Sequence, residues 1–227
     1  MQAGLRLLTV LAILAALAAS ANPAHAQAQR QHGRLFPPQD LGLLEGPDRE
    51  KYQRPDQIMD HLGIGEGSLV ADLGAGGGWF TIRLARRVGP NGRVYAQDIQ
   101  PEMIGSIERR VQREGLKDRV ITVLGKASDP ELPVPVDVVL IVDAYHEMTD
   151  PVALLKNVRK SLRPGGRVGI VEASKAGHGP GPPMEERVDP EIVIRDAEMA
   201  GLRLKSRGDF LRYQYLLEFV AADTTAK

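Results

Sequence analysis

Residues 69–78 read Leu-Val-Ala-Asp-Leu-Gly-Ala-Gly-Gly-Gly, an apolar run closed by an acid and then four glycines in five positions. Residues 69–71 read as a central strand. Gly74, Gly76, Gly77 and Gly78 allow a sharp turn and a close approach of bare backbone to a ligand. Residues 79–88 follow with Phe80, Leu84 and Val88 at helical spacing. A second strand, 93–97, ends at Asp98, where a carboxylate can accept bonds from both hydroxyls of a ribose. Strand, glycine turn, helix, strand and acid in that order specify a nucleoside-cofactor site on a mostly parallel sheet.

Two cofactor classes fit such a turn. The dinucleotide fingerprint G-x-G-x-x-G needs a third glycine where this chain has Trp79, and Asp72 stands just before the turn. A carboxylate there disfavours a pyrophosphate at the helix N-terminus and favours a cofactor that carries an ammonium group. Residues 70–78 resemble motif I of class I S-adenosylmethionine-dependent methyltransferases, and Asp98 matches their ribose-binding acid. Residues 136–143 resemble the family's fourth strand, and 154–167, with Pro164-Gly165-Gly166, resemble the helix and turn before strand five. The likeness spans residues 54–220. It implies an α/β, Rossmann-like domain with a seven-stranded, mostly parallel sheet, an antiparallel edge and helices on both faces.

The resemblance also assigns residues. It implies S-adenosylmethionine as cofactor, with Asp72 orienting the methionine end, Gly74, Ala75 and Gly76 passing beneath it, and Asp98 and Ile99 at the ribose. Ala127 and Asp143 complete the implied cofactor set. One position departs from the pattern. Where many relatives carry an acid for the adenine amine, this chain has Lys126, which cannot accept that bond. Asp129 or a carbonyl near Ala127 takes the role, or adenine is held less firmly.

Chemistry is expected outside the carboxyl end of strand four, at Asp143-Ala144-Tyr145-His146-Glu147-Met148. Methyl transfer needs a lone pair held in line, and a base only where the acceptor starts protonated. His146 is the candidate base, Glu147 its orienting partner, and Tyr145 a pocket wall or acceptor contact. No second histidine completes a H-E-x-x-H zinc motif, so no metal is expected. Residues 173–183 are too rich in glycine and proline for regular structure, and read as a lid or a connector. The acceptor is expected to be a small molecule.

The remaining helices follow from their caps. Residues 55–62 begin on a proline and end at Gly63, 101–114 carry Ile104, Ile107 and Val111 on one face, and Asp150-Pro151 and Asp189-Pro190 open two more. Strands are expected at 202–207 and 212–220, forming the edge hairpin. Residues 27–53 read as a polar arm with short helical pieces, whose Tyr52 or Arg54 reaches the cofactor carboxylate, and 223–227 as a disordered tail.

Charge is balanced at 29 basic and 29 acidic residues, and aromatic residues make up 4%, so neither a basic field nor a stacking platform recruits nucleic acid. Arg6, an apolar run over 7–19 and Ala24-His25-Ala26 read as a signal peptide cleaved after Ala26. The run is shorter than the roughly 20 residues of a spanning helix, so no stable membrane span is expected after cleavage. An exported, periplasmic or extracellular location follows. It conflicts with the cytosolic origin of the cofactor. An exported nucleoside-binding protein without turnover therefore stands as the alternative, with a nicotinamide-dependent reductase behind it.

Overall fold

The computed structural model describes residues 34–222. The signal peptide assigned to 1–26, the start of the arm and the tail at 223–227 lie outside the described residues. A 3-10 segment, Pro38–Glu45, and a short helix α1, Arg49–Gln53, make up most of the described arm. The domain then runs α2 Pro55–His61, β1 Leu69–Leu73, α3 Trp79–Arg87, β2 Arg93–Asp98, α4 Pro101–Arg113, β3 Val120–Leu124 and β4 Val136–Val142. It closes with α5 Pro151–Lys160, β5 Leu162–Ala173, α6 Pro190–Met199, β6 Leu202–Gly208 and β7 Gln214–Ala221.

The seven strands lie in the order β3-β2-β1-β4-β5-β7-β6. β1 to β5 pair in parallel, while β7 runs antiparallel between β5 and β6. Alternation along the strands divides the core in two. Val70, Val94, Val138 and Leu140 pack with α2, α3 and α4, and Ala71, Tyr95, Val139 and Ile141 pack with α5 and α6. The expected three-layer α/β fold is the one observed.

The same alternation carries Asp72 and Asp98 to the α3 side, since they share parity with Val70 and Val94. Both stand at the carboxyl end of adjacent strands, with the order reversing between β1 and β4. That reversal opens the crevice in which doubly wound sheets bind ligands.

Three local details differ from the sequence reading. β5 starts at Leu162, before Pro164-Gly165-Gly166, because Leu162 pairs with Val136 across an irregular register and Gly165 absorbs the turn at φ 76°. Met103, rather than Ile104, joins Ile107 and Val111 as the buried stripe of α4. Asp189 does not cap α6 with its side chain, whose carboxylate pairs instead with Lys175 at 3.0 Å. Asp150 does cap α5, accepting from Ala153 N at 2.9 Å. Asp150→Ala is therefore expected to cost about 1 kcal/mol in chemical denaturation, and Asp189→Ala less, because it removes an exposed ion pair and no cap bond.

Candidate active site

The carboxyl ends of β1, β2 and β4, with the loop after β3, surround a cavity of about 950 Å³ roofed by the arm. Its floor is the glycine turn. Gly74 lies at φ 69°, and a Cβ there would stand 2.5 Å from Ala144 Cβ, so the turn and the loop after β4 approach as closely as bare backbone permits. Gly76 N donates to Asp98 Oδ2 at 3.0 Å and Gln100 N to Oδ1 at 3.0 Å. Those two bonds fix the Asp98 carboxylate and leave lone pairs on both oxygens for a ligand.

Asp72 is 2% exposed and accepts from Thr81 Oγ1 at 2.6 Å. Burial pushes its pKa up to about 6, against the Thr81 bond and the Arg49 charge. Burial also raises Asp98, against backbone donors from Gln100, Gly76 and Ile99. Neither acid has an ion-pair partner among the described residues. Two buried, underpaired carboxylates on one wall make a site for a ligand with positive charge and hydroxyl donors.

The loop after β4 supplies the facing wall. Asp143 adopts φ 50° and is held by Gln53 Nε2 at 2.9 Å and Gln214 Nε2 at 2.8 Å. Burial and the neighbouring Glu172 raise its pKa. Glu172, wholly buried at the end of β5, accepts from Tyr145 N at 2.7 Å and from His146 Nδ1 at 2.9 Å. That bond sets the His146 ring so that its Nε2, which makes no hydrogen bond among the described residues, serves the cavity it lines. Burial opposes the imidazolium, yet Glu172, Glu147 and Asp143 outweigh it and hold the pKa at about 9. Glu147, pushed up to about 7 chiefly by burial, accepts from Phe36 N at 3.2 Å.

Two coverings meet over this wall. Phe36 is held from both sides, since Gln100 Nε2 also donates to its carbonyl at 3.1 Å. Leu41 and Leu44 lie over Gly76 and Gly77, and Arg110 pairs with Glu45 at 2.7 Å to fasten the 3-10 segment. The other covering is the Gly/Pro loop, where Pro180, Gly181, Pro182 and Pro183 line the cavity. Arg187 holds that loop by donating to the carbonyls of Pro182, Ser174, Gly177 and Gly179 at 2.7–3.0 Å. The loop is a fastened wall.

Asp72, Gly74, Ala75, Gly76, Asp98, Ile99, Ala127, Asp143, His146 and Glu147 all line the one cavity. Tyr145 does not. Its ring is buried in the α5/α6 core and its hydroxyl donates to Asp196 at 2.9 Å, because the 3-10 turn Tyr145–Glu147 points successive side chains apart. The orienting partner of His146 is Glu172, since Glu147 stands 3.8 Å from Nε2. Of the two arm residues, Tyr52 lines the cavity and Arg54 does not; Arg54 turns at φ 46° toward Gln57. Arg49 takes the inner position, stacked 4.4 Å over Trp79. Lys126 and Ala127 line the cavity, whereas Asp129 bonds Glu131 N and closes a backbone bridge to Lys126.

Arg49, Gln53, Thr81, Glu172 and Gln214 carry no motif. Only Glu172 gave a signal, as an acid at the end of an apolar strand.

Residues 70–166 match the family model described as "Methyltransferase domain". The chain is 30% identical over 158 residues to the ubiquinone/menaquinone biosynthesis C-methyltransferase of Cupriavidus pinatubonensis, covering 68% of this chain and 60% of that protein. It is 34% identical over 105 residues to a probable cobalt-precorrin-6B C(15)-methyltransferase (decarboxylating) of Methanothermobacter thermautotrophicus, covering 46% of this chain and 52% of the relative. The chain thus spans between about half and three fifths of these curated relatives. An S-adenosylmethionine-dependent methyltransferase from Aquifex aeolicus superposes with a TM-score of 0.76 at 28% identity, over 81% of this chain and 98% of that one.

The raised His146 pKa has a consequence for stability. Its contribution is whole below about 6.5 and is lost as pH climbs through about 9. Glu172→Gln is expected to move the His146 titration, followed by NMR of the ring, down from about 9 and to remove up to about 3 kcal/mol of that alkaline loss in stability.

Proposed function

We propose that this chain, which belongs to the class I S-adenosylmethionine-dependent methyltransferase family, transfers a methyl group to a small-molecule acceptor held at His146. The observation that carries this reading is one cavity with Asp72 and Asp98 on one wall and the Glu172-held His146 on the other. When bound, S-adenosylmethionine supplies an electrophilic methyl on a positively charged sulfur. The residues suit it. Asp98 has free lone pairs for two ribose hydroxyls, and Asp72, which has no ion-pair partner among the described residues, compensates positive charge together with Asp143.

Within that reading, Asp98 and Ile99 hold the ribose, and the turn at Gly74, Ala75 and Gly76 passes beneath the cofactor. Arg49, beside Asp72 and Asp143, serves the methionine carboxylate. Backbone at Ala127 serves the adenine, in place of a side-chain acid. His146 fixes the acceptor atom through Nε2, with its ring locked by Glu172 so that orientation costs little at the moment of transfer. Phe36, Leu44 and the proline loop keep water from the reacting atoms. The small-molecule acceptor is supported by the curated relatives, whose names give ubiquinone/menaquinone biosynthesis and cobalt-precorrin-6B.

An exported location remains part of the proposal, supported by Arg6, the apolar run and Ala24-His25-Ala26. A fusion of residues 1–30 to alkaline phosphatase is expected to be active outside the cytoplasm; an inactive fusion retained inside contradicts it.

Calorimetry with S-adenosylhomocysteine tests the core reading. Binding is expected, and Asp98→Ala weakens it by about 1.5–3 kcal/mol, the range of hydrogen bonds to a charged group. His146→Ala leaves that affinity in place and lowers turnover once an acceptor is supplied. No binding of the nucleoside by the wild-type chain ends the methyltransferase reading.

A further inference from the structure

The two edges of the sheet are built differently. β6 carries Arg203, Lys205 and Arg207 exposed at alternate positions, and its register with β7 breaks between Leu204 and Ser206. Alternating charge and a broken register keep another strand from adding to an edge. β3, the opposite edge, has neither. It reads Val-Ile-Thr-Val-Leu, with no charge, no proline and an unbroken register against β2. Ile121 and Leu124 on it are 42% and 50% exposed. Such an edge is open to pairing.

The free backbone of β3 has a fixed phase. Val94 N donates to Arg119 O at 2.8 Å and Gly125 N to Asp98 O at 3.0 Å, so Ile121 and Val123 spend their backbone groups on β2. Val120, Thr122 and Leu124 point theirs outward, and those groups have no hydrogen bond among the described residues. On the α4 side a groove of about 370 Å³ runs beside the edge, with buried Val111 and Val120 at its base and Glu108, Gln112, Lys117 and Thr122 around them. Leu124 shares the face of Val120 and stands at the other end of the strand. The two ends also differ in charge. Lys117, Asp118 and Arg119 lead in with two cations and one acid, whereas Lys126, Asp129 and Glu131 lead out with one cation and two acids.

We infer that β3 is a self-association edge, on which a second copy of this chain pairs antiparallel about a two-fold axis at Thr122. Thr122 then faces the partner's Thr122, Val120 faces the partner's Leu124, and each of these pairs exchanges two N–H···O bonds. Ile121 faces the partner's Val123 on the other side of the sheet, so every cross-strand pair is β-branched or apolar. A slip of one residue sets outward groups against groups already spent on β2. A slip of two leaves Val120 or Leu124 beyond the end of the partner strand. The axis stands perpendicular to the sheet and keeps α4 of both copies on one face, so the partner's Leu124 lands beside Val120, over the groove. The cation-rich end of each strand lies against the acid-rich end of the other. The edges left over are the two charge-guarded β6 strands, so the contact closes at a dimer.

Sedimentation velocity of the full chain over a hundredfold concentration range tests this. A strand pair is a small interface, so the passage from monomer to dimer is expected at micromolar concentrations. Thr122→Pro removes an outward N–H that no bond within the chain uses, and Leu124→Lys replaces the side chain that meets the groove. Each is expected to weaken association at least tenfold with the far-UV circular dichroism unchanged, and Leu124, half-exposed in the single chain, carries the test if proline at 122 perturbs the fold. The chain has no cysteine. Thr122→Cys therefore places a single thiol on the axis, where paired Cα atoms stand about 5.5 Å apart, within reach of a disulfide. Oxidation should yield the covalent dimer at least tenfold faster than with Ile121→Cys, whose two copies lie two residues out of step and beyond that reach. A chain that stays monomeric throughout the range overturns the inference. So does a dimer that survives Leu124→Lys or a folded Thr122→Pro, or equal cross-linking of the two cysteine variants.

Discussion

A carboxylate that water cannot reach must be satisfied by the protein, and Glu172 is satisfied by the loop that follows β4. Its oxygens take the backbone of Tyr145 and the His146 ring. One buried acid thereby fixes both the path of the loop and the direction of its imidazole. The loop in turn carries Ala144 to within contact of Gly74, where a side chain on the glycine turn would collide with it. The wall that carries Asp72 and Asp98 and the wall that carries His146 are therefore one unit. Moving either displaces the other.

Burial raises the pKa values of Asp72, Asp98, Asp143 and Glu147, because a carboxylate withdrawn from water loses its hydration. A cationic ligand beside Asp72 favours the ionised form of that acid. His146 stands across the cavity, with its pKa held, against burial, up to about 9 by Glu172, Glu147 and Asp143. The arm and proline loop then remove water from both, which strengthens each of these interactions.

Much of this was legible in the chain. The glycine turn, Asp72 and Asp98 announce themselves because close backbone approach and ribose recognition demand those residue types at that spacing. The sheet and its helices follow from apolar runs, prolines at first helical positions and Asp150. The residues that escaped act across long sequence distances: Glu172 reaches His146 from 26 positions away, and Gln53 reaches Asp143 from 90. No local pattern encodes such pairs. Tyr145 illustrates the converse, since its neighbours in sequence face the cavity while a single tight turn commits its own ring to the core.

The proposed function makes the cavity between Asp98 and His146 one site for cofactor and acceptor together, and a crystal structure of the chain with S-adenosylhomocysteine tests this. Both ribose hydroxyls are expected within hydrogen-bonding distance of Asp98, with the thioether sulfur facing His146. A nucleoside bound elsewhere, or one whose sulfur points away from His146, contradicts it.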